Sequence, residues 1–189
     1  MKLILKEVIL WLKNGKKRSV PFEPNKVNVI TGGSLTGKTA ILQIFDYCLF
    51  ASSSKIPETD INENVDWYGI RFHVNDKHYT IARTALSKGK ATDGFYFSPI
   101  GVVPESPNVT DEEATLKSLV ETEFGINRDV KIPFGGASLS LGSKISLRYF
   151  LLFNTISQDI ITNIDVFFDK QNQARYRDCL LYTSDAADE

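Results

Sequence analysis

The sequence predicts an α/β fold, and three observations predict it. A short apolar stretch, Lys26–Thr31 (KVNVIT), runs into a glycine-rich turn, Gly32–Thr39 (GGSLTGKT), and a periodic apolar helix follows. A segment of strict alternation from Tyr68 to Arg83 turns on Asn75-Asp76-Lys77 and reads as a β-hairpin. The composition is that of an ordinary globular chain. Its 189 residues are 42% hydrophobic and 24% charged, with 22 basic and 23 acidic side chains for a net charge of −1. That balance excludes a disordered tail, a collagen-like chain and a strongly basic nucleic-acid binder, and leaves room for a local basic patch.

The elements follow in order. Lys2–Leu12 is rich in Leu, Ile and Val and suits a strand; Lys6 and Glu7 interrupt it too early for a signal peptide. Asn14-Gly15 is a turn signal, crowded by Lys13, Lys16, Lys17 and Arg18, and Val20–Phe22 pairs back as a short strand. Lys26–Thr31 is the strand that feeds the glycine turn. Ile41, Ile44, Phe45, Cys48 and Leu49 recur at helical spacing and predict a buried helix face. Ala51–Asn64 is polar and reads as a loop. Phe95–Phe97 adds a further strand. Thr110 with Glu113 forms a capping box ahead of a helix whose apolar face is Leu116, Leu119 and Val120, and Gly125 stops it. Lys131–Gly142 is irregular, and helical patterns run from Ser143 to Asn154 and from Phe167 through Leu181.

The turn matches G-x-x-x-x-G-K-[ST], a phosphate-binding loop. A chance match arises in roughly 0.6% of chains this long at average composition, and the strand–turn–helix context lowers that further. Gly32, Gly33 and Gly37 admit positive φ and leave room for phosphate against the main chain. Backbone N–H groups of Ser34, Leu35, Thr36 and Ala40 join the nest, and the helix adds its positive end. Lys38 reaches the β- and γ-phosphates, and the Thr39 hydroxyl holds Mg²⁺. ATP and Mg²⁺ are therefore the expected ligands. No N/T-K-x-D guanine reader is present. Asp66-Trp67-Tyr68-Gly69 matches D-x-x-G but lacks a buried strand before it. Neither Val109–Glu112 nor Ile160–Asp165 is the apolar strand ending in an acid that would complete an ATPase site.

With these residues in hand the chain resembles the head domains of ABC-type ATPases of the SMC and RecN-like group. The resemblance is carried by the N-terminal strand, KVNVITGGSLTGKTAILQIFDYCL, and the hairpin with Trp67-Tyr68-Gly69. Together with SLRYFLLFNTISQDIITNIDVFFDKQNQARYRD, these segments are most similar to the bacterial domain-of-unknown-function 3732 family, the ATPase of ABC-three-component systems. The resemblance implies an N-terminal head lobe, with an antiparallel β-hairpin subsheet, over residues 1–168. It implies a coiled-coil arm starting at 169–178. It also implies ATP sandwiched between two heads of a homodimer, partner proteins of a multi-component system, and a role in phage defence or DNA maintenance. Gln158 is the residue it places as the Q-loop glutamine, contacting Mg²⁺ and the attacking water; Gln171 and Gln173 read as solvated helix residues. Leu139–Ser143 echoes the signature motif out of order and reads as a loop.

Other residues take plainer readings. Lys13, Lys16, Lys17 and Arg18 form a solvated turn that DNA phosphates would suit as a partner. Trp11 and Trp67 read as packing residues rather than an adenine stack, and His73 and His78 as ordinary hairpin residues. Cys48 and Cys179 form no ligand or redox spacing and read as reduced thiols of a cytoplasmic protein. No apolar run reaches the roughly 18 residues that span a bilayer. The last eleven residues, CLLYTSDAADE over 179–189, resemble translated sequencing-adapter sequence, so the natural chain is expected to depart near Asp178. On that expectation the signature and acidic strand lie further on. Two rivals stand beside the ATPase: a P-loop kinase, for which no arginine-rich lid is visible, and a non-catalytic nucleotide-switched assembly module.

Overall fold

Residues that alternate in the sequence alternate between the faces of a single sheet. The computed structural model describes residues 2–34, 36–127, 129–130 and 146–152. The chain divides into two units, Met1–Leu119 and Val120–Glu189. In the first, strands β1 (Leu3–Leu12), β2 (Lys17–Pro21), β3 (Val65–Val74), β4 (Lys77–Thr84) and β5 (Phe95–Ser98) pair in the order β2-β1-β3-β4-β5. Every pairing is antiparallel. Asn14-Gly15 turns β1 into β2, with Gly15 at φ 77°, and Asn75 at φ 53° turns β3 into β4. These are the positive angles that tight hairpins demand.

Both faces of the sheet are covered. One carries Tyr68, Ile70, Phe72, Tyr79, Ile81 and Phe95, all buried. Helix α1 (Lys38–Cys48) lies against it, with Tyr47 edge-on to Tyr68 at 5.9 Å between ring centroids. The other face is built on Ile9, Trp11 and Ala82, with Trp67, Tyr96 and Val103 packed around them. Burial on both sides explains why β1 is apolar without strict alternation: neighbours Val8 and Ile9 are both fully buried, on opposite faces. The Trp11 indole N–H donates to the Pro104 carbonyl at 3.0 Å, so the ring is spent on packing, as the sequence suggests. Asp66–Gly69 is an internal stretch of β3, which disposes of it as a nucleotide-binding D-x-x-G turn.

Two expectations are overturned. Lys26–Thr31 is not a strand. Val27 is 91% and Val29 77% exposed, and no ladder partner for them exists among the described residues. A strand needs a neighbour to take its N–H and C=O groups, and propensity alone cannot supply one. Asn28 instead folds back, accepting from Glu23 N–H at 2.8 Å and donating to the carbonyls of Glu23 and Lys26. The capping box is not formed either. Helix α2 (Glu113–Glu123) begins two residues later than that motif requires. Thr110 is drawn to β5, where its hydroxyl accepts from Phe97 N–H at 3.0 Å. β2 also starts earlier than expected, because Lys17 and Arg18 already pair with Trp11 and Leu10.

In the second unit, Gly125 at φ 69° ends α2 as expected, with Ile126 N–H on the Glu121 carbonyl and Gly125 N–H on that of Thr122. Helix α3 (Leu147–Leu152) falls within the Ser143–Asn154 pattern, and the buried Glu121 carboxylate accepts its Leu147 N–H at 3.3 Å. The Lys131–Gly142 segment with the Leu139–Ser143 echo, the helix from Phe167, Cys179 and the 179–189 tail lie outside the described residues.

Gly69 gives a test of the second face. A Cβ there would stand 2.6 Å from the Trp11 ring and 3.3 Å from the Ala82 Cβ. Gly69→Ala should destabilise the protein by about 1–3 kcal/mol through overpacking, read as a lowered urea midpoint. An unchanged midpoint would show that Trp11 is not held there.

Candidate functional site

The glycine turn opens α1 directly. Gly37 is the N-cap residue, at φ 81° and ψ 13°, a left-handed conformation that a side chain would resist. No side chain caps the helix and no acid lies in its first turn. The positive end of its dipole is thus left facing the turn without a side-chain cap, and an anion suits it. Thr39 is exposed on that first turn, and Ala40 is buried beneath it with its N–H on the Gly37 carbonyl at 3.0 Å.

Lys38 folds back over the turn. Its ammonium donates to the Gly32 carbonyl at 2.9 Å, to the Gly33 carbonyl, and to Thr36 Oγ1 at 3.2 Å. The Thr36 hydroxyl donates in turn to the Gly33 carbonyl at 2.9 Å. The lysine therefore sits where the turn curls, held by neutral oxygens. A phosphate arriving there offers it stronger, charge-assisted bonds in their place. Of the residues predicted for the site, the structure brings together Gly32, Gly33, Thr36, Gly37, Lys38, Thr39 and Ala40, with Ser34 exposed on the turn. Leu35 and Gln158 lie outside the described residues.

Three features of the surroundings escaped the sequence reading. The 51–64 segment is not a free loop: Asn62, 3% exposed, has all four hydrogen-bonding valences filled. Its Nδ2 donates to Glu58 and to the Leu86 carbonyl, while its Oδ1 accepts from Tyr68 Oη and Leu86 N–H. That lock sets Ile61 beside the turn, 3.6 Å from where a Cβ on Gly37 would be. Burial pushes the Tyr68 hydroxyl well above the usual phenol range, so it remains a donor. Tyr47, in the last turn of α1, donates to the Thr84 carbonyl at 2.9 Å and meets Thr92 Oγ1 at 3.0 Å. Arg83 is fully buried under the same helix end. Only Arg83 carried a signal: it falls in phase with Tyr79 and Ile81, on the apolar face of its strand.

The remaining candidates are less engaged. The basic turn is solvent-exposed, and Lys17 pairs with Glu105 at 3.0 Å. Lys17 and Arg18 lie on β2, the edge strand of the sheet among the described residues, where charge discourages pairing with another chain. The His73 and His78 rings meet across the hairpin at 3.7 Å, tilted by 52°; desolvation, then the neighbouring His78, lowers the His73 pKa and favours its neutral form. Among the described residues no group of three or more His, Cys, Asp or Glu side chains could hold a metal ion by itself. None of the described helices is long and apolar enough to cross a membrane.

Burial raises the Cys48 thiol far above its ordinary range, against a smaller opposing pull from Arg83. At about pH 9, where an exposed thiol is largely thiolate, Cys48 should resist iodoacetamide in the folded protein and react in urea. Peptide mass spectrometry reads the difference. Labelling of Cys48 in the folded protein at an exposed thiol's rate would contradict this burial.

A family model described as an AAA domain matches residues 2–182. No curated protein matches the chain.

Proposed function

The chain belongs to the AAA-domain family, a family of ATPases, and from that premise we propose that it binds ATP with Mg²⁺ at Gly32–Thr39. One observation carries the reading: an uncapped helix N-terminus behind a glycine turn, with a lysine already folded into the turn. The residues fit the ligand. Backbone N–H groups of the turn and of α1 would take phosphate oxygens, and Lys38 would exchange the Gly32 and Gly33 carbonyls for the β- and γ-phosphates. The exposed Thr39 hydroxyl would hold Mg²⁺, which needs only one or two protein oxygens once phosphate supplies the others. The metal would supply neutralisation of phosphate charge, and Lys38 a second cation beside it.

At the finer level the chain is the N-terminal lobe of an SMC/RecN-like ABC head, of the kind found in ABC-three-component systems. The antiparallel sheet with α1 across it supports this. Two heads would close on ATP as a homodimer, with Gln158 orienting water and an acid from outside the described residues completing the site. Partner proteins, DNA at the basic turn, and a role in phage defence or DNA maintenance belong to the same proposal.

The deciding experiment is a titration with a fluorescent ATP analogue in Mg²⁺. Lys38→Ala should weaken binding by about 100-fold, ~2.7 kcal/mol, with an unchanged circular dichroism spectrum. Thr39→Ala should remove most of the Mg²⁺ dependence. Equal binding by wild type and Lys38→Ala would sink the reading. ATP turnover that Lys38→Ala abolishes would exclude the non-catalytic alternative.

A further inference from the structure

Arg83 stands outside the glycine turn, yet it holds the helix that the turn opens. It is a β4 residue, 1% exposed. Its Nη1 donates to the Tyr47 carbonyl at 3.0 Å and the Ala51 carbonyl at 2.7 Å; its Nε donates to the Thr92 carbonyl at 2.7 Å. Its Nη2 pairs with Glu113 Oε2 at 3.1 Å. The guanidinium lies between two rings, 4.5 Å from the Tyr47 centroid and 4.7 Å from that of Phe95.

The two carbonyls on Nη1 bracket the end of α1. Tyr47 is in its last turn, and Ala51 follows the chain reversal at Phe50. Phe50 has φ 65°, a left-handed conformation that a residue with a Cβ resists. The same cation thus satisfies a terminal carbonyl, faces the negative end of the helix dipole, and holds the turn at Phe50 through the Ala51 carbonyl. At the other end the helix has no side-chain cap, and Thr39 is exposed. An α-helix of eleven residues is a stiff rod about 16 Å long. Where its buried end is fixed, the placing of its N-terminal N–H groups follows.

We propose that Arg83 is a positioning residue for the phosphate-binding turn, acting through α1 from the opposite end of the helix. The proposal rests on the nucleotide reading above. It deepens that reading by making affinity at Gly32–Thr39 depend on a residue that never touches the ligand. Glu113 balances the charge of Arg83 from the first turn of α2, so that helix shares in setting the same affinity.

The test compares Arg83→Lys with Ile9→Ala. Ile9 lies on the face of the sheet away from α1, so its loss lowers stability without touching the anchor. The readouts are the affinity for a fluorescent ATP analogue with Mg²⁺ and amide hydrogen exchange over 39–44 without nucleotide. Arg83→Lys keeps the charge, but three N–H groups on one nitrogen cannot serve the Tyr47, Ala51 and Thr92 carbonyls and Glu113 together, so the anchor is weakened. It should weaken binding about tenfold and speed exchange in α1 more than in β1 and β3. Ile9→Ala should bind within about twofold of wild type at a comparable loss of unfolding midpoint. Unchanged affinity in Arg83→Lys overturns the proposal alone, as does an equal loss in Ile9→Ala. A wild-type protein that binds no nucleotide overturns the nucleotide reading and this proposal together. If Arg83→Lys does not fold, Glu113→Ala decides the matter: it removes the carboxylate that orients the guanidinium toward both carbonyls, so it should cost about threefold and speed exchange in α1, and wild-type affinity there counts against the anchor.

Discussion

A guanidinium cannot be buried without partners, and much of the first unit is arranged to satisfy one. Taking an arginine out of water costs several kcal/mol unless charge and hydrogen bonds replace the solvent. Arg83 recovers that cost from three backbone carbonyls, one carboxylate and two aromatic faces. Those partners come from five places: the end of α1, the reversal after it, the segment before β5, β5 itself, and the start of α2. The carbonyls on the ends of these segments would otherwise be orphans of helix and turn termini. One side chain therefore closes several unsatisfied ends at once, and removing it would reopen all of them.

The sheet supplies the frame in which that closure is possible. Antiparallel hairpins place Tyr79, Ile81 and Arg83 on one face by simple alternation, and α1 covers that face. The opposite face is sealed by Trp11, whose ring needs the missing side chain of Gly69 and whose N–H needs the Pro104 carbonyl. With both faces dry, the hairpin register cannot slip by one residue without exchanging two buried sets. That fixed register keeps Arg83 under α1, and Asn62, held by Tyr68 and Leu86 at the same end of the β3–β4 hairpin, keeps Ile61 against Gly37. The glycine turn is thus bordered by packed structure although its own residues are largely exposed.

The fold was partly legible beforehand. Alternation revealed β3 and β4, apolar periodicity revealed α1, and Asn-Gly and Asn-Asp marked the turns, because each signal is local. Lys26–Thr31 misled, because its β-propensity describes what it would do beside a neighbour, and no neighbour is found among the described residues. Thr110 and Glu113 misled for a related reason. Both can serve a helix start, but Thr110 is taken by the edge of β5 and Glu113 by a buried cation. A tertiary partner outcompeted a local one in each case.

The candidate site divides in the same way. By itself the sequence determined the glycine turn, the placing of Lys38 and Thr39 at a helix start, and the balance of charge. These follow from residue types within a few positions of one another. Only the tertiary structure decided that Lys38 is engaged by the turn's own carbonyls, that Asn62 locks a polar loop, and that Arg83 grips the far end of α1. Those pairs are separated by up to 36 residues, and contacts at that range are set by chain topology and the need to satisfy buried polar groups. Neither can be read from neighbouring letters.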